Sequence, residues 1–410
     1  MFRPELAEKP VIVLSNNDGC AVARTDEAKA LGIRMGDPYF KIKDLCRNKG
    51  VHVFSSNYTL YGDLSRRVMR TIAEFAPDME IYSVDEAFVS FDSFRSRDLE
   101  KYASEIKETV FRYTGIPVSV GLGPTKVLAK AANQIAKKNK KETKCFFSLL
   151  DPDVRLKRLA NFPVGDLWGI GRKSVEKLKE VNVISAADLM RLDERIIQKL
   201  LTVTGRRIVR ELYGESCIEL EMLETDRQQI ISSRSFGRPV FLLEELREAV
   251  ANHVSTAAEK LRKQKLIVKN LMVFVQTNPH KNTAQYHNSR TVMLLSGSSS
   301  TNKLISQAFA ALDGIFKTGF EYKKVGVIFN NLCPKEGSQF DFFSTHDSPA
   351  DDLLMQTLDQ VNQAEGRGTL KFAACGIDQF WRMASNMKSP AYTTRWSELL
   401  RVGEALASRL

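Results

Sequence analysis

The sequence predicts an α+β multidomain protein, and three observations carry that prediction. Strand and helix patterns alternate through the N-terminal third. A short-looped, all-helical block follows from residue 151. A second mixed block runs from 229 to 335 and leads into a mixed tail. A chain of 410 residues has room for two to four domains.

In the first block, Val11-Ile-Val-Leu14 reads as a short buried strand. Leu60, Leu64, Val68, Ile72 and Phe75 share one face of a helix that Pro77 ends. Residues 79–91 read as a β-hairpin. Leu99, Tyr102, Ile106 and Val110 mark another helix, closed by Gly115. Val118, Val120 and Leu122 alternate as a strand, and a helix starts near Thr125. Asp151-Pro152 is an N-cap with proline at the first helical position. Ser185 and Asp188 have the spacing of a capping box. Residues 155–210 hold 13 Lys+Arg against 6 Asp+Glu, so this helical block is basic. The third block shows a helix near 244–264 and strands around 271–275 and 291–295. Residues 296–300, a serine-glycine run, read as a loop.

Hydrophobic residues make up 43% and charged residues 27%, an ordinary globular composition. The balance of 60 Lys+Arg over 49 Asp+Glu gives a net charge of +11, which suits a polyanionic partner such as nucleic acid and equally a plain solubility charge. No run approaches the roughly 18 apolar residues of a membrane span, and no signal-peptide core follows Met1, so no membrane partner is expected. Cys20, Cys46, Cys145, Cys217, Cys333 and Cys375 form no CxxC pair. A disulfide scaffold or structural zinc site is therefore not expected, and a reducing cytoplasm fits.

Four constellations could carry chemistry. Asp85-Glu86 sits between apolar flanks where the hairpin should turn. Two carboxylates at a bend can reach one divalent ion, and Mg²⁺ takes hard oxygen ligands that it shares with substrate phosphates. The same dipeptide recurs at 26–27 and 193–194, so taken alone it is more often a surface turn than a metal site, and only the apolar flanks distinguish this copy. Lys126, Lys130, Asn133 and Lys137 share one helical face opposite Val127, Leu128, Ala131 and Ile135. That stripe suits a triphosphate or simply water. Gly169 and Gly171, followed by Arg172 and Lys173, can bring backbone N–H groups to a phosphate in the manner of a helix-hairpin-helix. Gln339, followed by Phe340, Phe342 and Phe343, could dock in a partner groove or form an ordinary strand.

Taken in order with several longer strings, these residues resemble the Y-family of translesion DNA polymerases, in its UmuC-type branch with plasmid-borne relatives. The strings are Val13-Leu-Ser-Asn-Asn-Asp-Gly-Cys20, Ser55-Ser-Asn-Tyr58, Ile81-Tyr-Ser-Val-Asp-Glu-Ala-Phe88, Trp168-Gly-Ile-Gly171, Glu365-Gly-Arg-Gly-Thr-Leu370 and Ser389-Pro-Ala-Tyr-Thr-Thr394. The resemblance implies a right-hand-like polymerase: fingers at 1–60, a ferredoxin-like palm at 61–150, and a helical thumb with a helix-hairpin-helix at 151–228. A small α/β little finger at 229–335 and a UmuC-type tail at 336–410 would follow. It implies error-prone, template-directed nucleotidyl transfer from dNTP to a DNA 3′-OH, in the cytoplasm, as part of the SOS response to damaged DNA.

By the same resemblance Asp85 and Glu86 are the catalytic and metal-binding pair for two Mg²⁺ ions. Lys137, Lys29 and Arg24 are triphosphate contacts. Gly169, Gly171, Arg172 and Lys173 contact DNA, and Gln339, Phe340, Phe342 and Phe343 form a sliding-clamp peptide. Implied partners are primed or damaged DNA, a processed UmuD-type dimer, a RecA filament and the clamp. The family normally opens with a strand reading roughly Asp-x-Asn-x-Phe-Tyr-Ala-Ser-Cys-Glu before the Phe-Arg-Pro seen here at 2–4. That strand carries a first metal-binding aspartate and is not in this sequence. Two further readings follow: a catalytically dead DNA- and partner-binding remnant, and, more weakly, a metal-dependent nuclease.

Overall fold

The computed structural model describes residues 2–15, 17–94, 98–222, 228–336, 347–383 and 385–399. The chain divides into two compact units. One comprises Met1–Ala7, Asn57–Glu224 and Pro390–Leu410; the other comprises Glu8–Ser56 and Thr225–Ser389. Among the described residues no helix is long and apolar enough to cross a membrane. All six cysteines are free thiols.

In the first unit, helices Tyr58–Ala73 and Leu99–Thr114 bury Val68, Ile106 and Val110 against each other. Gly115 stops the second helix at φ 68°, a conformation that glycine adopts without steric cost. Met79–Ile81 and Ala87–Val89 pair antiparallel with Glu80 opposite Phe88, forming the expected hairpin. Val120–Leu122 and Phe146–Ser148 pair in parallel. The helix Lys126–Lys138 lies hard against the second pair. A Cβ at Gly121 would stand 2.1 Å from the Asn133 nitrogen, so only glycine permits this approach.

A ferredoxin-like palm implies one continuous sheet, and here the structure differs: the four strands form two separate pairs. Strands of three residues make few cross-strand bonds, so the helices behind them set their positions. A cavity of about 530 Å³ is lined by residues 84–89 of the hairpin, 118–122 of the second pair, and the helix Tyr58–Ala73.

From Pro152 to Tyr213 the chain is helical with short loops, as expected. Asp151 caps Pro152–Ala160, and the Ser185–Asp188 capping box starts Ala186–Arg191. Leu159, Leu178, Leu189, Ile197, Ile208 and Leu212 close a core that also takes Val127 and Leu128 of the lysine helix.

In the second unit, Val11–Leu14 lies between Ala21–Arg24, antiparallel, and His52–Ser55, parallel. The larger sheet has the order His287–Ser298, Leu266–Thr277, Tyr322–Pro334, Gln229–Val240. Every neighbour in it is antiparallel, so the expected α/β little finger is α+β instead. Helices Leu243–Lys263 and Thr301–Asp313 bury its apolar face. The serine-rich run is not a loop throughout. Ser296, Gly297 and Ser298 end a strand, and Ser300 precedes the helix Thr301–Asp313. Just before that helix Asp347 accepts from the Ser299 and Ser300 N–H groups at 2.8 and 3.2 Å. The tail adds the helix Pro349–Ala364, and Met387 exchanges hydrogen bonds with Ser55.

Candidate active site

The acidic turn is built by five residues, Tyr82 to Glu86, between two three-residue strands. The Tyr82 and Ser83 N–H groups both donate to the Glu86 carbonyl at 3.0 Å. Because Asp85 and Glu86 lie in the turn rather than on a regular strand, they escape the alternation that would part their side chains. Both line the 530 Å³ cavity, together with Lys130 and Lys137. Ser83 Oγ donates to Asp85 Oδ1 at 2.7 Å. Lys130 Nζ stands 2.8 Å from one Glu86 oxygen and Lys137 Nζ 3.9 Å from the other. Lys130 and Lys137, which the spacing places on one helical face, both meet the acidic turn.

Lys126 departs from the stripe. It is buried, and its ammonium is ion-paired with buried Glu80 while donating to the Glu219 carbonyl at 2.9 Å. Glu80 also accepts from the Glu221 N–H at 2.8 Å. This pin ties the base of the hairpin to the first turn of the lysine helix. A second buried carboxylate, Glu211, accepts from Val127, Cys217 and Ile218 N–H groups at 3.1, 2.7 and 2.9 Å. An anion at a helix N-terminus is favoured by the unsatisfied N–H groups and the helix dipole. Sequence reasoning missed both acids. Glu211 carried a signal, since it occupies an apolar-face position beside Ile208 and Leu212. Glu80 carried none, because its partner is 46 residues away.

Tyr82 and Trp168 were also missed. Trp168 Nε1 donates to the Tyr82 hydroxyl at 3.1 Å, both rings pack on Phe88, and Lys130 lies over the Tyr82 ring. The Trp-Gly-Ile-Gly string thus braces the acidic turn as well as opening a helix. Gly169 has φ +91°, and a Cβ there would strike Ile208. Gly171 is the N-cap of Arg172–Glu180 and offers no side-chain cap. Its surroundings are open, and the Arg172 side chain is 94% exposed. The first-turn N–H groups are accessible to a phosphate.

Arg24 and Lys29 belong to the other unit. Arg24 Nη1 donates to the Ile33 carbonyl at 3.2 Å, and Lys29 pairs with Asp26 at 2.6 Å. Gln339, Phe340, Phe342 and Phe343 lie outside the described residues.

Asp85 and Glu86 offer hard oxygen donors in a partly exposed cavity, a donor set that fits Mg²⁺. That ion usually keeps only one or two protein carboxylates, with waters and phosphates filling its octahedron. Among the described residues no group of three or more His, Cys, Asp or Glu stands together as a metal cluster.

Comparison with known proteins gives a consistent picture. Residues 1–134 match the impB/mucB/samB family, residues 227–342 match that family's C-terminal domain, and residues 352–402 match a domain of unknown function, DUF4113. Protein UmuC of Salmonella typhimurium is 44% identical over 405 residues, covering 98% of this chain and 96% of the relative. Protein SamB of Salmonella typhimurium is 40% identical, covering 97% and 95%. A solved Y-family DNA polymerase chimera, Dbh-Dpo4(243-245)-Dbh, superposes with a TM-score of 0.65 at 17% identity. It covers 81% of this chain and 94% of its own, a likeness of fold.

Proposed function

From its membership of the impB/mucB/samB family, to which this chain belongs as a UmuC-type Y-family translesion DNA polymerase subunit, we propose that Asp85 and Glu86 carry its nucleotidyl transfer. The substrates are a dNTP and primed or damaged DNA. The catalytically dead alternative is not favoured, because identity to UmuC runs across 98% of the chain rather than through its binding blocks alone.

The observation that carries this reading is the placement of Asp85, Glu86, Lys130 and Lys137 on one cavity wall, with Glu86 spanning the two ammonium groups. Bound Mg²⁺, held by Asp85 and Glu86, supplies charge neutralisation at the phosphates and a lowered pKa at the attacking hydroxyl. Two ions are the expected complement. Glu86 holds Lys130 and Lys137 in partly exposed pairs worth about 0.2–1 kcal/mol each, so a triphosphate can take over the ammonium groups. Ser83 orients the Asp85 carboxylate. Trp168 and Tyr82 hold the turn in place while Lys130 changes partner. Arg24 and Lys29 are further triphosphate contacts, and Lys29 leaves only an exposed pair with Asp26 to make one. Gly169, Gly171, Arg172 and Lys173 grip the DNA backbone without reading its sequence. Residues 339–343 dock on the sliding clamp. A processed UmuD-type dimer and a RecA filament complete the assembly.

Primer extension with Mg²⁺ tests the proposal. Asp85→Asn and Glu86→Gln are each expected to lower the rate by about 10³-fold or more, the scale of losing a metal-mediated contribution. Undiminished extension by either variant, or no Mg²⁺-dependent extension by the unsubstituted chain, overturns it.

A further inference from the structure

We propose that a second cavity, walled by the edge strand Gln229–Val240, the helix Leu243–Lys263 and the tail at 358–382, binds a phosphate-bearing ligand through Arg234 and Arg382. The cavity measures about 650 Å³, within the range of small-ligand sites. Part of its wall is the segment that matches a domain of unknown function.

The tail is fixed in place rather than loosely laid on. The Gly237 N–H donates to the Trp381 carbonyl at 2.9 Å, and a Cβ at Gly237 would stand 2.7 Å from the Arg382 carbonyl oxygen. Trp381 is buried, and its Nε1 donates to Glu248 at 2.9 Å. Asn252 Nδ2 donates to the Cys375 carbonyl at 2.7 Å. The cavity is therefore a built feature with ordered walls.

Its charges do not balance. Arg262 is held by both Asp359 oxygens, at 2.7 and 2.8 Å, and Arg367 by Glu259 at 3.3 Å. Those pairs cancel. Arg234, Arg382 and Lys371 remain on the wall against Asp378, and neither Arg234 nor Arg382 forms an ion pair with any described residue. Partial burial, then the neighbouring charges of Arg234 and Arg367, pull the Arg382 guanidinium below its usual range, against the opposing pull of Glu248. Arg234 and Arg382 are exposed on the cavity wall and unpaired among the described residues, so one anion can meet both, and guanidinium matches phosphate geometry in a bidentate fork.

Uncharged groups complete the wall. Ser232 Oγ lies 3.1 Å from His253 Nδ1, while buried His253 Nε2 has no partner. Gln379 Nε2 donates to Asn252 Oδ1 at 2.5 Å and its buried Oε1 has none. Buried polar atoms without partners are uncommon and are met by water or by a ligand. Phosphate together with polar edges describes a free nucleotide or the phosphorylated end of a nucleic acid strand.

Titration calorimetry on the full chain in EDTA, which silences metal-dependent binding elsewhere, tests this with ATP and with a 5′-phosphorylated hexanucleotide. Saturable binding of either probe is expected, and the probe bound more tightly identifies the source of the phosphate. Arg234→Gln and Arg382→Gln should each weaken it at least tenfold. Arg247→Gln, which breaks a pair with Asp313 outside the cavity, should leave it unchanged. Thermal melts check that the variants fold. Absence of binding by both probes overturns the proposal, as does equal weakening by Arg247→Gln. An Asp85→Asn chain should titrate like the unsubstituted one, so this site and the polymerase reading fail separately.

Discussion

In the antiparallel sheet of the second unit, strands of 12 or 13 residues bury Leu271, Val273, Val275, Val325, Val327 and Phe329 against two helices. Around the acidic turn of the first unit, strands are three residues long and form two separate pairs. Among the described residues the adjoining apolar cluster buries Val68, Ile106 and Val110. What replaces apolar packing there is polar: the Lys126–Glu80 pin, and Glu211 beneath the lysine helix. A large sheet can be held by burial alone. A small turn that must show two carboxylates to a substrate is held by hydrogen bonds and charge pairs at its base.

The hardest test of that contrast removes one support from each region. Lys126→Ala leaves Glu80 buried without its counter-charge, which costs about 3–5 kcal/mol. Phe329→Ala empties a fully buried site and costs about 3–5 kcal/mol. With exposed Trp396 replaced by phenylalanine, single-tryptophan backgrounds that keep Trp168 or Trp381 report on the first or the second unit, so fluorescence in a denaturant series follows each. Each substitution should displace the transition of its own unit. A shift of both transitions together by either change would break the comparison, because the two regions would then unfold as one cooperative body.

A smaller effect separates them by pH. His253 is buried on the helix that covers the large sheet. Burial, and then Arg234, Arg382 and Lys324, hold its pKa down to about 4 from 6.5. Between those values the unfolded chain binds the extra proton, so this contribution to stability is complete above pH 6.5 and is lost as the pH falls towards 4. The span corresponds to roughly 3 kcal/mol, on the order of 1.4 kcal/mol for each pH unit. In the background that keeps Trp381, the transition should weaken across that window, and His253→Gln should flatten the dependence. A dependence as steep in the variant would assign the loss to other groups.

The same contrast explains what the sequence made legible. Local rules predicted the helix caps at Asp151 and Ser185, the glycine stop at Gly115, the hairpin around residues 79–91 and the Asp85–Glu86 turn, because each depends on residues within a few positions. Helical spacing put Lys130 and Lys137 on one face, but that this face meets Glu86 is a contact across 44 residues that spacing does not carry. What escaped was long-range. Spacing put Lys126 on the same face as Lys130, yet its depth is set by Glu80 and Glu219. Periodicity cannot show that the palm strands separate into two pairs, since each reads as a strand either way. Nor could the run at 296–300 reveal a strand end leading into a helix, because its Ser299 and Ser300 N–H groups are held by distant Asp347.

The smallest expected effect concerns polar groups of the first unit that hold nothing in place. Arg172 and Lys173 follow Gly171 at an uncapped helix start, and Arg172 has only an exposed pair with Glu176. Replacing both with alanine should leave the Trp168 transition within about 0.5 kcal/mol of its original position, as for ordinary surface changes. DNA affinity should fall evenly across sequences. The slope of log K against log salt should shrink by about 2, since each phosphate contact contributes about 0.9. Fluorescence anisotropy between 50 and 200 mM salt reads that slope. An unchanged slope would remove these residues from the DNA grip. Loss of stability instead would place them among the supports, and the line between buried charges that hold the fold and exposed charges that meet the substrate would have to be redrawn.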